Sequence, residues 1–198
     1  MASGIIELNK LYELNRKSRQ FEILNTKSEA GKVFKKIKSE ITSGVPEKPG
    51  FYLWGQFNKD RFWTNIYLGK AGAGKITSLK YRIMDELGEE RAFVIQGKMT
   101  DELDNVCRQI FPSKWDESYK RVYKRAVRKH KANYIAWTEF NTTGNENIEE
   151  IENDLIETIN PEANIKRVTP PTHLRDETNR ILKELRHQIH EQRVKLIK

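Results

Sequence analysis

Tyr52, Tyr67, Lys70, Arg82, Glu152 and Asn164 are polar residues whose chemistries complement one another. Glu152 is the only carboxylate of the set and the natural anchor for a divalent cation. Mg²⁺ is commonly held by one or two carboxylates together with phosphate oxygens and water. Arg82 offers a fork of donors that grips phosphate oxygens. A tyrosine phenol is a poor base at its free pKa near ~10, but beside a metal or another cation its phenolate becomes accessible. Lys70 is an alternative base or a phosphate contact, and Asn164 can brace backbone. Such a set suits hydrolysis of a phosphate ester, which needs an activated water, a cation on the phosphate and relief of leaving-group charge. Each residue taken singly has a plainer use. Strand tyrosines usually pack in cores, a helix arginine is usually a surface charge, and Glu152 is one of eight acids between residues 132 and 164.

The elements that must bring these residues together are legible in outline. Leu8, Leu11 and Leu14, then Val33, Phe34, Ile37 and Ile41, recur at three- and four-residue spacings, so residues 3–41 read as helical. Pro46 and Lys48-Pro49-Gly50 close that stretch. Phe51–Trp54 reads as a strand, Asn58–Arg61 as a polar turn and Trp63–Leu68 as a second strand, which together make a β-hairpin. After the Gly-rich loop Gly69–Gly74, a helix runs from about Ser78, a suitable N-cap, to Leu87. Residues 101–110 and Glu117–His130 read as helices. Tyr134–Thr138 is a third strand, Ile148–Ile159 a helix closed by Asn160-Pro161, and a final helix starts near Leu174. The class is α+β, on a small, mostly antiparallel three-stranded sheet flanked by helices.

Placed on these elements, the polar residues carry a resemblance. Gly50-Phe51-Tyr52 and Tyr67-Leu68-Gly69 look like the two halves of the GIY-YIG nuclease signature, in order. Leu79-Lys80-Tyr81-Arg82 resembles the family's Leu-x-x-Arg helix, and Tyr134–Thr138 its third strand. Glu152, Leu155, Ile156, Pro161 and Asn164 match the spacing of its closing segment. The resemblance covers residues 50–164, less an insertion at roughly 88–132. It implies one Mg²⁺ or Mn²⁺ bound by Glu152, with a tyrosine positioning or deprotonating the attacking water. Tyr52 is the first choice for that role and Tyr67 its support. Phe51 and Leu68 replace the central isoleucines and keep an apolar position. One turn after Arg82, several relatives carry His or Tyr; here it is Glu86, which either binds Arg82 or faces solvent.

Other motifs carry less. Gly69–Lys75 matches a phosphate-cradling P-loop for seven positions, but the eighth is Ile76 instead of Ser or Thr. Lys75 remains a phosphate contact. Lys120, Arg121, Lys124, Arg125, Arg128 and Lys129 form a basic helical stripe, with Tyr119 and Tyr123 among them, suited to tracking a DNA backbone. His187 and His190 have no evident third ligand, so they read as surface residues. His130 suits a helix C-terminus, and His173 reads as a linker residue. Cys107 reads as a packed small hydrophobe. Leu182, Leu185, Ile189 and Leu196 suit either a dimer seam or packing onto N-terminal helices.

The chain has 198 residues, a formal net charge of +8 and a single cysteine. No internal disulfide or cysteine zinc cluster can form. No apolar run approaches the ~18 residues of a membrane span, and the N-terminus lacks a signal-like apolar run. A soluble, cytoplasmic protein is expected. The charge is uneven: −8 across residues 132–164, against +6 across 114–131 and +5 across 165–198. The expected organisation is an N-terminal helical extension over residues 1–44, a nuclease-like core over 45–168 with the helical insertion, and a C-terminal basic helix over 169–198. The expected function is a metal-dependent endonuclease on DNA, site-specific in the manner of a type II restriction enzyme, with a homodimer as a possible assembly. The alternatives are a structure-specific repair, homing or mobile-element nuclease, and an inactive nucleic-acid-binding module on the same fold.

Overall fold

The computed structural model describes residues 1–17, 27–72, 77–88, 132–141, 147–162, 164 and 175–198. The helices expected at 101–110 and 117–130 lie outside them, as do Lys75, Lys120, Arg121, Lys124, Arg125, Arg128, Lys129, Cys107, His130 and His173. The described chain runs β1 (Ser3–Glu7), α1 (Asn9–Lys17), α2 (Glu29–Ile41), β2 (Gly50–Phe57), β3 (Trp63–Ala71), α3 (Leu79–Gly88), β4 (Tyr134–Glu139), α4 (Ile148–Ile159) and α5 (Asp176–Lys195).

The architecture is α+β, with one antiparallel sheet in the order β1-β4-β2-β3. The hairpin forms as expected. Its loop is tied by the Asn58 N–H to the Phe62 carbonyl at 2.9 Å, while the Asn58 side-chain oxygen accepts from the Phe62 N–H at 2.8 Å. Two expectations are corrected. Among the described residues the sheet has four strands, because Ser3–Glu7 is a strand and not the start of a helix. Ile5 and Ile6 are β-branched, and β4 offers them an edge to pair with: Ile6 lies opposite Ile135 and Ile5 opposite Ala136. The three/four rhythm of Leu8, Leu11 and Leu14 belongs to α1 alone. Second, Gly69, Lys70 and Ala71 lie in β3, so the glycine loop begins only at Gly72, whose φ is +130°.

Strand alternation sorts side chains to two faces. Tyr52, Trp54, Ile135 and Trp137 face α1, α2 and α3, where Leu11, Phe34, Ile83 and Leu87 complete one core. Phe51, Leu53, Leu68 and Ala136 face α4 and α5, where Ile151, Leu155, Ile181 and Leu185 complete the other. Local chemistry starts and stops the helices. Ser28 caps α2 by accepting from the Gly31 N–H at 2.9 Å, and Asn147 caps α4 by accepting from Glu149. Asn160 ends α4 in a left-handed conformation at φ 49°. Buried Asp154 on α4 accepts from Arg175 at 2.7 Å and from Thr178 at 3.1 Å, and so pins α5. The apolar rhythm of α5 is used within the chain. Leu182 and Leu185 are buried against the sheet, and Gln188 donates to Ser3 in β1 at 3.0 Å. Its N-terminal neighbour is thus a strand, where packing onto helices was one of the two expectations.

Candidate functional site

Among the described residues strand β3 is an edge of the sheet, and the candidate residues gather on both sides of it. On the α3 side, register places Tyr52 opposite Gly69 and Trp54 opposite Tyr67. A Cβ at position 69 would lie 2.3 Å from the Tyr52 hydroxyl. Only glycine lets this ring pass under the strand and reach α3. There the hydroxyl donates to Glu86 Oε1 at 2.6 Å. Arg82 contacts the same two groups, with Nε donating to the Tyr52 oxygen at 3.4 Å and Nη2 lying 3.1 Å from Glu86 Oε1. Tyr52 is fully buried. The Glu86 side chain is 0% exposed, whereas Arg82 retains 28%. The partly buried Tyr67 ring sits 6.3 Å from that of Tyr52.

The electrostatics follow from this packing. Burial pushes the Tyr52 phenol well above the ordinary tyrosine value, the Glu86 carboxylate and Tyr67 push it further, and Arg82 pulls the other way. Tyr52 therefore holds its proton and presents it to Glu86. Burial works against the charged form of Arg82, but Tyr52 and Glu86 outweigh it and raise the guanidinium above its ordinary value.

On the α4 side, Lys70 stands opposite Phe51 and reaches the helix. Its ammonium lies 2.8 Å from Glu152 Oε2 and 3.5 Å from Glu149 Oε1. Lys70 and Glu152 are 16% and 17% exposed, so the pair sits at the water boundary. Asn164 satisfies the open edge of β3. Its oxygen accepts from the Leu68 N–H and its amide donates to the Leu68 carbonyl, both at 2.8 Å. The side-chain amide thus does for Leu68 what a neighbouring strand would do.

The structure therefore joins Tyr52, Tyr67 and Arg82 in one group and Lys70 and Glu152 in another, with Asn164 hydrogen-bonded to Leu68 of the edge strand. Two participants carry more weight than their sequence signal. Glu86 stands at i+4 from Arg82, a spacing that permits the ion pair but does not report its burial. Glu149 stands at i−3 from Glu152 and shares its helix face. No protein-family model, curated protein or solved structure matches this chain.

The carboxylates on the α4 side are the kind of donor a hard divalent cation takes. Glu152, with Glu149 beside it, supplies carboxylate oxygens, and the two already converge on the positive charge of Lys70. Among the described residues no group of three or more His, Cys, Asp or Glu side chains converges on one point. A hard cation here would complete its shell with water and phosphate oxygens, in the manner of Mg²⁺.

Proposed function

We propose that this protein is a metal-dependent endonuclease of the GIY-YIG type that hydrolyses DNA phosphodiester bonds, site-specifically in the manner of a restriction enzyme. The observation that carries the reading is the placement of two polar groups against β3, one on each face. A phenol and a guanidinium held on one side, and a carboxylate with an ammonium on the other, flank the same edge strand.

In this reading Arg82 binds the scissile phosphate, since its guanidinium is anchored from behind by Glu86 and Tyr52 yet remains partly exposed. Anchoring leaves little reorganisation for the moment when charge develops on the phosphate. Glu152 and Glu149 would hold Mg²⁺ or Mn²⁺, which supplies Lewis-acid polarisation of the phosphate when bound. Lys70 then turns from the carboxylates to a phosphate oxygen. Tyr52 is the first choice from the sequence for meeting the attacking water, but it is fully buried; Tyr67 lies nearer the solvent and takes that role here. Tyr52, buried and hydrogen-bonded to Glu86, supports it by holding Arg82. Asn164 keeps β3 in register behind them.

The test is digestion of supercoiled plasmid by the purified protein with Mg²⁺ and with EDTA, followed by sequencing of the cut ends. Discrete fragments that need the metal are expected. Binding without cleavage at any metal concentration would instead make the chain a binding module, and absence of both would end the reading.

A further inference from the structure

The face of the sheet that carries α4 and α5 holds a second feature, a cavity of about 300 Å³ between the hairpin end of β3 and α5. Its size lies at the lower end of the range for ligand clefts. The construction begins at Gly55, where a Cβ would lie 2.1 Å from the Trp63 ring. Without one, the indole lies across β2. Its Nε1 donates to the Asn65 oxygen at 2.8 Å, and the Asn65 amide donates to the Ile159 carbonyl at 3.2 Å. Phe57 meets the indole edge-on at 5.1 Å between centroids. The aromatic wall is therefore fixed both at its polar edge and at its ring.

The opposite wall comes from Leu182, Leu185 and Ile189 of α5, and the same helix supplies a basic lining. Arg186, His190 and Arg193 stand at i, i+4 and i+7, on one helix face, and among the described residues no acidic side chain lines the cavity. At its rim the Arg193 guanidinium lies 5.1 Å over the Phe62 ring. Phe62 is 59% exposed, at the end of the hairpin loop. A fixed aromatic wall, an exposed aromatic ring and a basic lining make up the chemistry that holds single-stranded nucleic acid, where bases stack on rings and phosphates meet basic groups. None of these groups belongs to the Tyr52–Arg82 or Lys70–Glu152 clusters.

We propose that this cavity takes an unstacked base of the DNA strand, with Arg186 and Arg193 on the flanking phosphates. The proposal rests on the nuclease reading and adds a subsite to it. Asn65, in the cavity, and Lys70, at the cleavage site, are five residues apart on β3, roughly 17 Å at the rise of a strand. That span is several times the ~3.4 Å axial rise per nucleotide of one strand. The subsite therefore reads a position several nucleotides from the cut.

The experiment uses the full chain carrying Glu152→Gln, so that bound DNA stays intact. Oligonucleotides substituted singly with 5-iododeoxyuridine are irradiated in complex and the cross-linked peptides sequenced. Cross-links to Trp63 or Phe62 from one position in the strand are expected. In parallel, Arg186→Ala/Arg193→Ala should weaken binding at least tenfold. It should also flatten the plot of log affinity against log salt by nearly two, at about 0.7–0.9 for each phosphate that is no longer neutralised. Circular dichroism checks that the double variant folds. Cleavage by the parent protein with unchanged affinity and salt slope in the double variant would overturn the subsite and leave the nuclease standing. So would cross-links confined to other peptides. A parent protein that binds no DNA overturns both.

Discussion

On the α3 side of strand β3, Tyr52, Arg82 and Glu86 bond to one another within the protein; on the α4 side, Lys70, Glu149 and Glu152 meet at its boundary with water. Both groups hold an acid against a base, and the difference lies in the solvent. A buried carboxylate that loses its partners keeps the cost of desolvation, so the α3 group is bound up with folding as well as with phosphate. A pair whose carboxylate touches water costs less to break than one whose carboxylate is fully buried, so the α4 group can exchange one cation for another. One side is built to hold a guanidinium still, and the other to trade an ammonium for a metal.

The largest effect on activity is therefore expected on the side that contributes least to stability. Glu152→Ala should lower the cleavage rate at saturating Mg²⁺ by at least ~100-fold, since a metal on the phosphate supplies several kcal/mol to the transition state. Thermal unfolding should shift less than on loss of Glu86, because Glu152 keeps contact with water and Glu86 does not. A large fall in melting temperature with cleavage retained would reverse the comparison.

Glu86 should behave in the opposite way. Glu86→Ala leaves a buried phenol and a half-buried guanidinium without their acceptor, and a loss of about 3 kcal/mol in urea unfolding is expected. Cleavage should fall as well, since Arg82 is released. Glu86→Gln keeps an oxygen for the Tyr52 hydroxyl and should recover part of the stability, but it lacks the charge that orients Arg82. Its rate should stay low at unchanged DNA affinity. A glutamine variant with full activity would reduce Glu86 to a packing residue.

Tyr52→Phe gives a smaller effect with a pH signature. Removing the hydroxyl should cost about 1–2 kcal/mol at neutral pH. In the folded protein the phenol titrates well above its ordinary value of 10.0, first through burial and then through Glu86. Below pH ~10 both folded and unfolded chains keep this proton, and the contribution is whole. As pH rises further the unfolded chain releases it and the folded chain does not. Stability then falls by about 1.4 kcal/mol per pH unit until the folded phenol ionises too. The phenylalanine variant lacks this group, so its stability should decline less steeply above pH ~10. Parallel decline in both proteins would mean that neither burial nor Glu86 holds the proton on the phenol.

The same contrast explains how much of the molecule can be read from its residues alone. Hairpin, α3 and α4 are local: their periodicity and breakers lie within the segments themselves, so Tyr52, Tyr67, Arg82 and Glu152 fall on the elements expected for them. β1 is not local. Ile5-Ile6 is a short apolar pair beside the leucine rhythm of α1, and only the edge of β4, some 130 residues away in the chain, makes it a strand. Glu86 is visible in the sequence as a neighbour of Arg82, but its burial depends on a tyrosine from another element passing beneath a glycine. Lys70 reads as a loop residue because glycines surround it. The pairing of Gly69 with Tyr52 and of Lys70 with Phe51 keeps both in the strand.

The smallest change expected in stability is at Lys70, and it tests the exchange directly. Lys70→Ala removes one partly exposed ion pair, and urea unfolding should move by about 1 kcal/mol or less. If the ammonium occupies the space that a divalent cation needs, its removal leaves Glu152 and Glu149 uncompensated and raises their attraction for such an ion. Isothermal titration with Mn²⁺ should then show tighter binding than in the parent protein. Cleavage at saturating metal should be slower, because a cation that meets phosphate has gone. Weaker Mn²⁺ binding in the alanine variant would mean that Lys70 orients the carboxylates for the metal, and the two sides of β3 would then both be scaffolds.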